Sequence, residues 1–172
     1  MHPLLADMLA RIDNQTAGMT AADLERHPPG KWSSAGILEH LSITFEGTRR
    51  NLQKCLDTAT RRVTRPALRQ RLAVLIVVEL GRVPTGAEAP ARTHPKGLPG
   101  EAALEAIRRN LAAMDRVMAE CEARFGKRGK IADHPILGAL SLGQWRRFHR
   151  AHTRHHLRQI ARLRNLAFRE SL

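Results

Sequence analysis

Aromatic residues are scarce in this chain, at 3% with no tyrosine, so its core must be aliphatic and it has few platforms on which bases could stack. Cysteine is nearly missing too. Cys55 and Cys121 stand far apart in no paired spacing, which argues against a disulfide framework and for reduced thiols in the cytoplasm. No long hydrophobic run occurs. The longest strongly apolar stretch, residues 72–78, is far short of the roughly 20 residues that span a bilayer. The N-terminus MHPLLADMLARIDN carries acids and lacks a basic segment followed by an apolar one, so it does not read as a signal peptide. Acidic residues are the minority, 16 against 29 Lys and Arg, for a formal charge of +13. That excess permits an anionic partner and equally describes a solvated cationic surface.

What the chain does contain is helical periodicity. At 172 residues it reads as one domain, 1–172, with enough chain for one core. A first helix runs from Pro3 to about Asn14, with Leu5, Met8, Leu9 and Ile12 at helical spacing. Thr20 and Asp23 then open a short helical segment that His27-Pro28-Pro29-Gly30 must end. The second long helix starts at Trp32-Ser33-Ser34, where either serine can cap, and runs to about Thr58. Its bulky stripe is Leu38, Leu41, Phe45 and Leu52. Beside that lies a stripe of mostly small residues, Gly36, Ile37, Thr44, Gly47 and Thr48 with Ile43, around His40, while Glu39, Glu46, Arg49 and Arg50 are expected in water.

Residues 66–80 suggest a short buried helix, although a run this short is also compatible with a strand. Residues 81–100 hold four prolines and four glycines and read as an irregular excursion within a crossover of about 60–100. The third long helix, Glu101 to Phe125, carries Leu104, Ile107, Leu111, Met114, Met118, Cys121 and Phe125 at alternating steps of three and four, a bundle seam that Gly126 stops. No alternating strand pattern is visible. The fold expected is all-α, a four-helix bundle with a long crossover between the second and third long helices.

The last helix carries the chemistry. Ser141 as N-cap, Gln144 closing a capping box, and Leu140 and Trp145 as a staple start it. Continued at 3.6 residues per turn, it sets Trp145, Phe148, His152, His156, Gln159, Ile160 and Leu163 on one face, and Arg146, Arg150, Arg154 and Arg158 largely on the other. Imidazoles at i and i+4 stand roughly 5–6 Å apart at Cβ and can share a metal ion. Such a pair is common by chance, so a third ligand matters. His40, beside its small-residue stripe, supplies the candidate. Three neutral imidazoles leave a coordination position open, the arrangement of catalytic and not structural zinc sites, suited to activating water or a thiol. No His-Glu-x-x-His is present, which argues against a zincin peptidase. Gln159, one turn past His156, is placed to orient a ligand or to be a surface amide. His149 and His155 flank the face and are expected to be partly exposed. His94, Asp133 and His134 lie in loops with no geometric claim, and both cysteines fall on apolar helix faces. No catalytic residue is identified.

Trp32-Ser33, Glu39-His40-Leu41 and His152-x-x-His155-His156-Leu157-Arg158-Gln159-Ile160 together resemble the signature of the DinB/YfiT-like superfamily. His134-Pro135-Ile136-Leu137-Gly138 and Phe148-His149 resemble a bacterial branch of it without assigned function. The resemblance implies an up-down-down-up bundle, commonly a homodimer, and a metal triad matching His40, His152 and His156. It implies zinc or nickel as the metal and, as activity, metal-dependent hydrolysis or transfer involving a low-molecular-weight thiol, with a small-molecule substrate. DNA binding is not implied. The competing reading is a non-catalytic basic helical module for a polyanion or partner protein, motivated by Arg146, Arg150, Arg154, Arg158 and Arg162. Few aromatics and no recognisable nucleic-acid motif argue against nucleic acid as the partner.

Overall fold

A computed structural model describes residues 1–84, 86 and 88–170, with side chains through residue 165. Thr85 and Ala87 of the excursion, and the last two residues of the expected domain, lie outside the described residues. The chain is mostly helical: α1 (Pro3–Thr16), α2 (Ala21–Glu25), α3 (Ser34–Asp57), α4 (Leu68–Val74), α5 (Gly100–Phe125) and α6 (Leu142–Glu170). Among the described residues no helix is long and apolar enough to cross a membrane.

The helix starts follow from local chemistry. Thr20 and Asp23 form a reciprocal capping box at α2, and Ser33 rather than Ser34 caps α3, accepting from the Gly36 amide at 3.1 Å. At α6 the Ser141 amide donates to Gln144 Oε1 at 3.2 Å while the Gln144 amide donates to Ser141 Oγ at 3.3 Å. Gly126, at φ +80°, ends α5.

Packing follows the apolar seams. α3 lies along α5, α1 along α6, and further contacts join α3 to α6 and α1 to α5. Between them Leu5, Met8, Ile12, Leu38, Leu41, Phe45, Leu52, Ile107, Leu111, Met114 and Met118 are sealed from solvent. The methionine and cysteine stripe of α5 is core, as its spacing predicts. Both thiols are free and buried, and burial first of all raises them, Cys121 to about 11, so neither is a nucleophile.

Four expectations need correction. Residues 68–80 are helical, with α4 passing into a π turn (Leu75–Glu79), but the segment is not buried. Only Val78 is fully enclosed, while Leu68, Leu72 and Leu75 are half or more exposed, because the segment lies against the outside of α6, Glu79 meeting Gln144 and Arg147 and Gly81 meeting Arg154. Glu39 is buried at 3% exposure instead of solvated, since its carboxylate accepts the Gly97 and Leu98 amides at 3.0 and 2.9 Å. Arg146 is buried as well, paired to Glu122 at 2.7 Å. Finally, Ala132–His134 and Gly138–Leu140 form a small antiparallel hairpin. Asp133 in it accepts the Thr64 amide and hydroxyl, which fixes the beginning of the crossover.

Candidate metal centre

α3 and α6 bring the three predicted histidines together. The Nε2 atom of His152 lies 3.4 Å from that of His40 and 3.1 Å from that of His156, and one ligand nitrogen from each ring falls within 4.8 Å of the others. His40 and His156 are buried and His152 is partly exposed. His152 and His156 meet because they are one turn apart on α6. His40 reaches them from the adjoining helix.

The outer ring nitrogens decide what the inner ones present. His40 Nδ1 is 2.7 Å from the Thr93 carbonyl oxygen, which can only accept, so Nδ1 carries the proton and Nε2 a lone pair. His156 Nδ1 donates in the same way to Gln159 Oε1 at 2.8 Å. That orientation turns the Gln159 amide nitrogen to His155 Nε2, 3.3 Å away. Thr93 lies at the end of a 3₁₀ turn (Ala91–Thr93) in the proline-rich excursion, which packs over the start of α3 beside Gly36.

Burial lowers the pKa of all three rings. For His40 desolvation outweighs the opposing Thr93 bond; for His156 it leads, with His40 nearby, to a value of about 4; for His152 it combines with the neighbouring imidazoles to depress the value strongly. The rings are therefore neutral near pH 7. His40 and His156 then point lone pairs at His152, whose Nε2 can offer one proton to only one of them. A cation satisfies all three nitrogens at once. Metal–nitrogen distances of about 2.0–2.1 Å in a tetrahedral shell imply ligand nitrogens about 3.3 Å apart, and the 3.1 and 3.4 Å separations fit that. The donor set can hold a metal ion.

The walls are aromatic. Trp32 stands 5.1 Å from the His40 ring, and His94 packs edge-on to Trp32. Phe148 lies nearly parallel to His152 at 5.4 Å. His134 sits 4.5 Å from Phe148, its Nδ1 accepting the Ile136 and Leu137 amides at 3.1 and 3.2 Å, and burial lowers it to about 4. It thus borders the site, contrary to its sequence reading as an unremarkable loop residue. His149 is also not as expected. It is completely buried, 3.0 Å from Thr48 Oγ1 through Nε2, and burial lowers it to about 3. His155 is partly exposed, as anticipated, with burial and then Arg158 and Arg162 lowering its pKa. Gln159 is hydrogen-bonded to His156 and His155 and is not a free surface amide.

Thr93 and Trp32 were missed as parts of the site. A backbone carbonyl leaves no sequence signal, and Trp32 was legible as a helix start and as part of the DinB/YfiT-like signature but not as a neighbour of His40.

Residues 7–163 match the family described as "Protein of unknown function (DUF1569)". The chain belongs to the DUF1569 family. No curated protein and no solved structure matches it. The DUF1569 match spans α3 through the histidines of α6, so all three candidate ligands fall within it.

Proposed function

We propose that this DUF1569 chain is a metal-dependent enzyme holding one divalent ion, zinc or nickel, through Nε2 of His40, His152 and His156. The convergence of the three Nε2 atoms, at 3.1 and 3.4 Å from His152, with those of His40 and His156 presenting lone pairs, carries the reading. A bound divalent metal with an open position supplies Lewis acidity that favours the deprotonated form of water or of a low-molecular-weight thiol. The reactions that fit are hydrolysis of a small molecule or thiol transfer to one.

The chain's own groups prepare that chemistry. Thr93 and Gln159 fix the tautomers and ring orientations of His40 and His156, a role outer hydrogen bonds fill in histidine metal sites. Trp32 and Phe148 shield two of the ligands with apolar surface, which strengthens electrostatic interactions inside. The ring of contacts α3–α5–α1–α6–α3 supports a four-helix bundle with its crossover between α3 and α5, in keeping with the DinB/YfiT-like resemblance. The same reading carries a single domain over 1–172, a homodimer and the cytoplasm. The polyanion-binding alternative loses one member of its arginine stripe, because Arg146 is buried and paired to Glu122 at 2.7 Å.

Elemental analysis of protein purified without a nickel column tests the proposal. Near-stoichiometric zinc or nickel is expected in the native chain, and its loss in the combined His40→Ala, His152→Ala, His156→Ala variant. Metal that persists in the triple variant, or a native chain that takes up neither ion when offered it, overturns the reading.

A further inference from the structure

Beside His155, the neighbour of His156 on α6, lies a concavity. A cavity of about 340 Å³ opens between the end of the π turn and α6, and Arg82, Arg154, Arg158 and His155 line it with no carboxylate among its walls. Among the described residues, none of these three arginines lies within ion-pair distance of an Asp or Glu. Arg146 and Arg147, earlier on the same helix, are by contrast both neutralised. Arg82, Arg154 and Arg158 are all exposed at the hollow, and a concentration of one sign of charge in a cleft favours an entering anion.

The hollow is also held in shape. Arg154 donates to the Gly81 carbonyl oxygen at 2.7 Å, leaving its other N–H groups to be used. Gly81 has φ +64°, and a Cβ there would sit 2.8 Å from the Arg154 guanidinium. The positive φ favours glycine there.

We propose that this cavity binds a small phosphate monoester, and that its occupancy is felt at His156 through His155 and Gln159. A dianion suits three guanidinium groups better than a monoanion does, and the volume leaves room for an organic portion. The transmission follows from the hydrogen bonds. Gln159 donates to His155 Nε2 at 3.3 Å and accepts from His156 Nδ1 at 2.8 Å, so the proton of neutral His155 resides on Nδ1 and can be donated to an anion. An acceptor there makes Nε2 a better acceptor from Gln159, and the polarisation continues to His156. The binding part is independent of the metal reading; the part concerning His156 as a ligand rests on it.

Inorganic phosphate titrated into chelator-treated, dialysed protein at low ionic strength is the test, followed by calorimetry and by imidazole ¹⁵N shifts. Saturable binding is expected, weakened at least about tenfold in Arg154→Gln/Arg158→Gln, as loss of charge-assisted hydrogen bonds requires. Arg150→Gln, on the same helix outside the cavity, should leave it unchanged. The His155 and His156 ring nitrogens should shift together in the native chain, and His155 alone in Gln159→Leu. No binding at millimolar phosphate, binding indifferent to the double variant, or a His156 shift that survives Gln159→Leu each overturns the proposal. So does preferential binding of an oligonucleotide that the double variant does not weaken. Phosphate binding without metal uptake would reject the metal centre and leave this site standing.

Discussion

Replacing His149 with glutamine should make the protein distinctly less sensitive to acid. His149 is fully enclosed among Phe45, Trp145 and Phe148, with Nε2 3.0 Å from Thr48 Oγ1 and its Nδ1 without a partner among the described residues. Burial holds its pKa at about 3, against 6.5 for an unperturbed ring. As pH falls through 6.5 the unfolded chain takes up a proton there, while the folded chain stays neutral down to about pH 3. The stability associated with this neutral ring is therefore complete above pH 6.5 and is lost progressively between 6.5 and 3. At about 1.4 kcal/mol per unit, the fall from about pH 7 to about pH 4.5 amounts to roughly 2–3 kcal/mol. Glutamine cannot titrate, yet its amide oxygen can still accept from Thr48. Urea unfolding of both proteins at about pH 7 and about pH 4.5 should show the variant losing roughly 2–3 kcal/mol less. His134 and His156, each lowered to about 4, titrate in both proteins and cancel in the comparison. A parallel loss in the two proteins would refute the argument, because it would mean that His149 protonates alike in folded and unfolded chains.

Gln159→Leu, which removes the acceptor for His156 Nδ1, should weaken metal binding about 10- to 100-fold; competition with a chromophoric chelator reads this, and an unchanged affinity would deny the amide its orienting role. Glu39→Gln replaces a buried charged acceptor of the Gly97 and Leu98 amides with a neutral one, so stability should fall by about 1–2 kcal/mol. Hydrogen exchange at those two amides should quicken, and exchange as slow as in the native chain would contradict the assignment. Gly100→Ala places a Cβ 2.7 Å from Leu24 Cβ. Helix propensity alone would make the change stabilising by up to about 1 kcal/mol, whereas the clash predicts a loss of about 1–3 kcal/mol. The sign measured in thermal or urea unfolding decides between the two.

Much of the helical frame was legible because its signals are local. Thr20 with Asp23 and Ser141 with Gln144 state their caps within four residues, and the steps of three and four along α5 state which side is buried. Signals that need a partner distant in sequence were not legible. Glu39 and Arg146 look like solvent residues until the loop amides of Gly97 and Leu98, and the carboxylate of Glu122, are brought to them. The hairpin at Ala132–His134 and Gly138–Leu140 has three-residue strands, too short for any alternation to register. The apolar run through α4 and the π turn was read correctly as helix and wrongly as buried, because composition does not reveal that a segment packs against the others with one face only.

The candidate centre divides along the same line. His152 and His156 are one turn apart on one helix, and His40 declares itself by the small residues around it, so the ligand set could be proposed from spacing. Spacing cannot separate a metal site from three hydrogen-bonded core histidines, however, because both place imidazoles on inward faces. The distinction lies in where the ring protons go. Had Thr93 and Gln159 faced the inner nitrogens, the rings would be satisfied and no cation would be called for; instead they take the outer protons of His40 and His156 and turn bare lone pairs toward one point. The first of these contacts joins residues 53 apart in sequence through the course of a proline-rich loop. The tautomer of His40 is therefore set by the crossover, which carries none of the candidate ligands, and on the proposed reading changes confined to residues 90–95 should alter metal affinity while leaving every histidine in place.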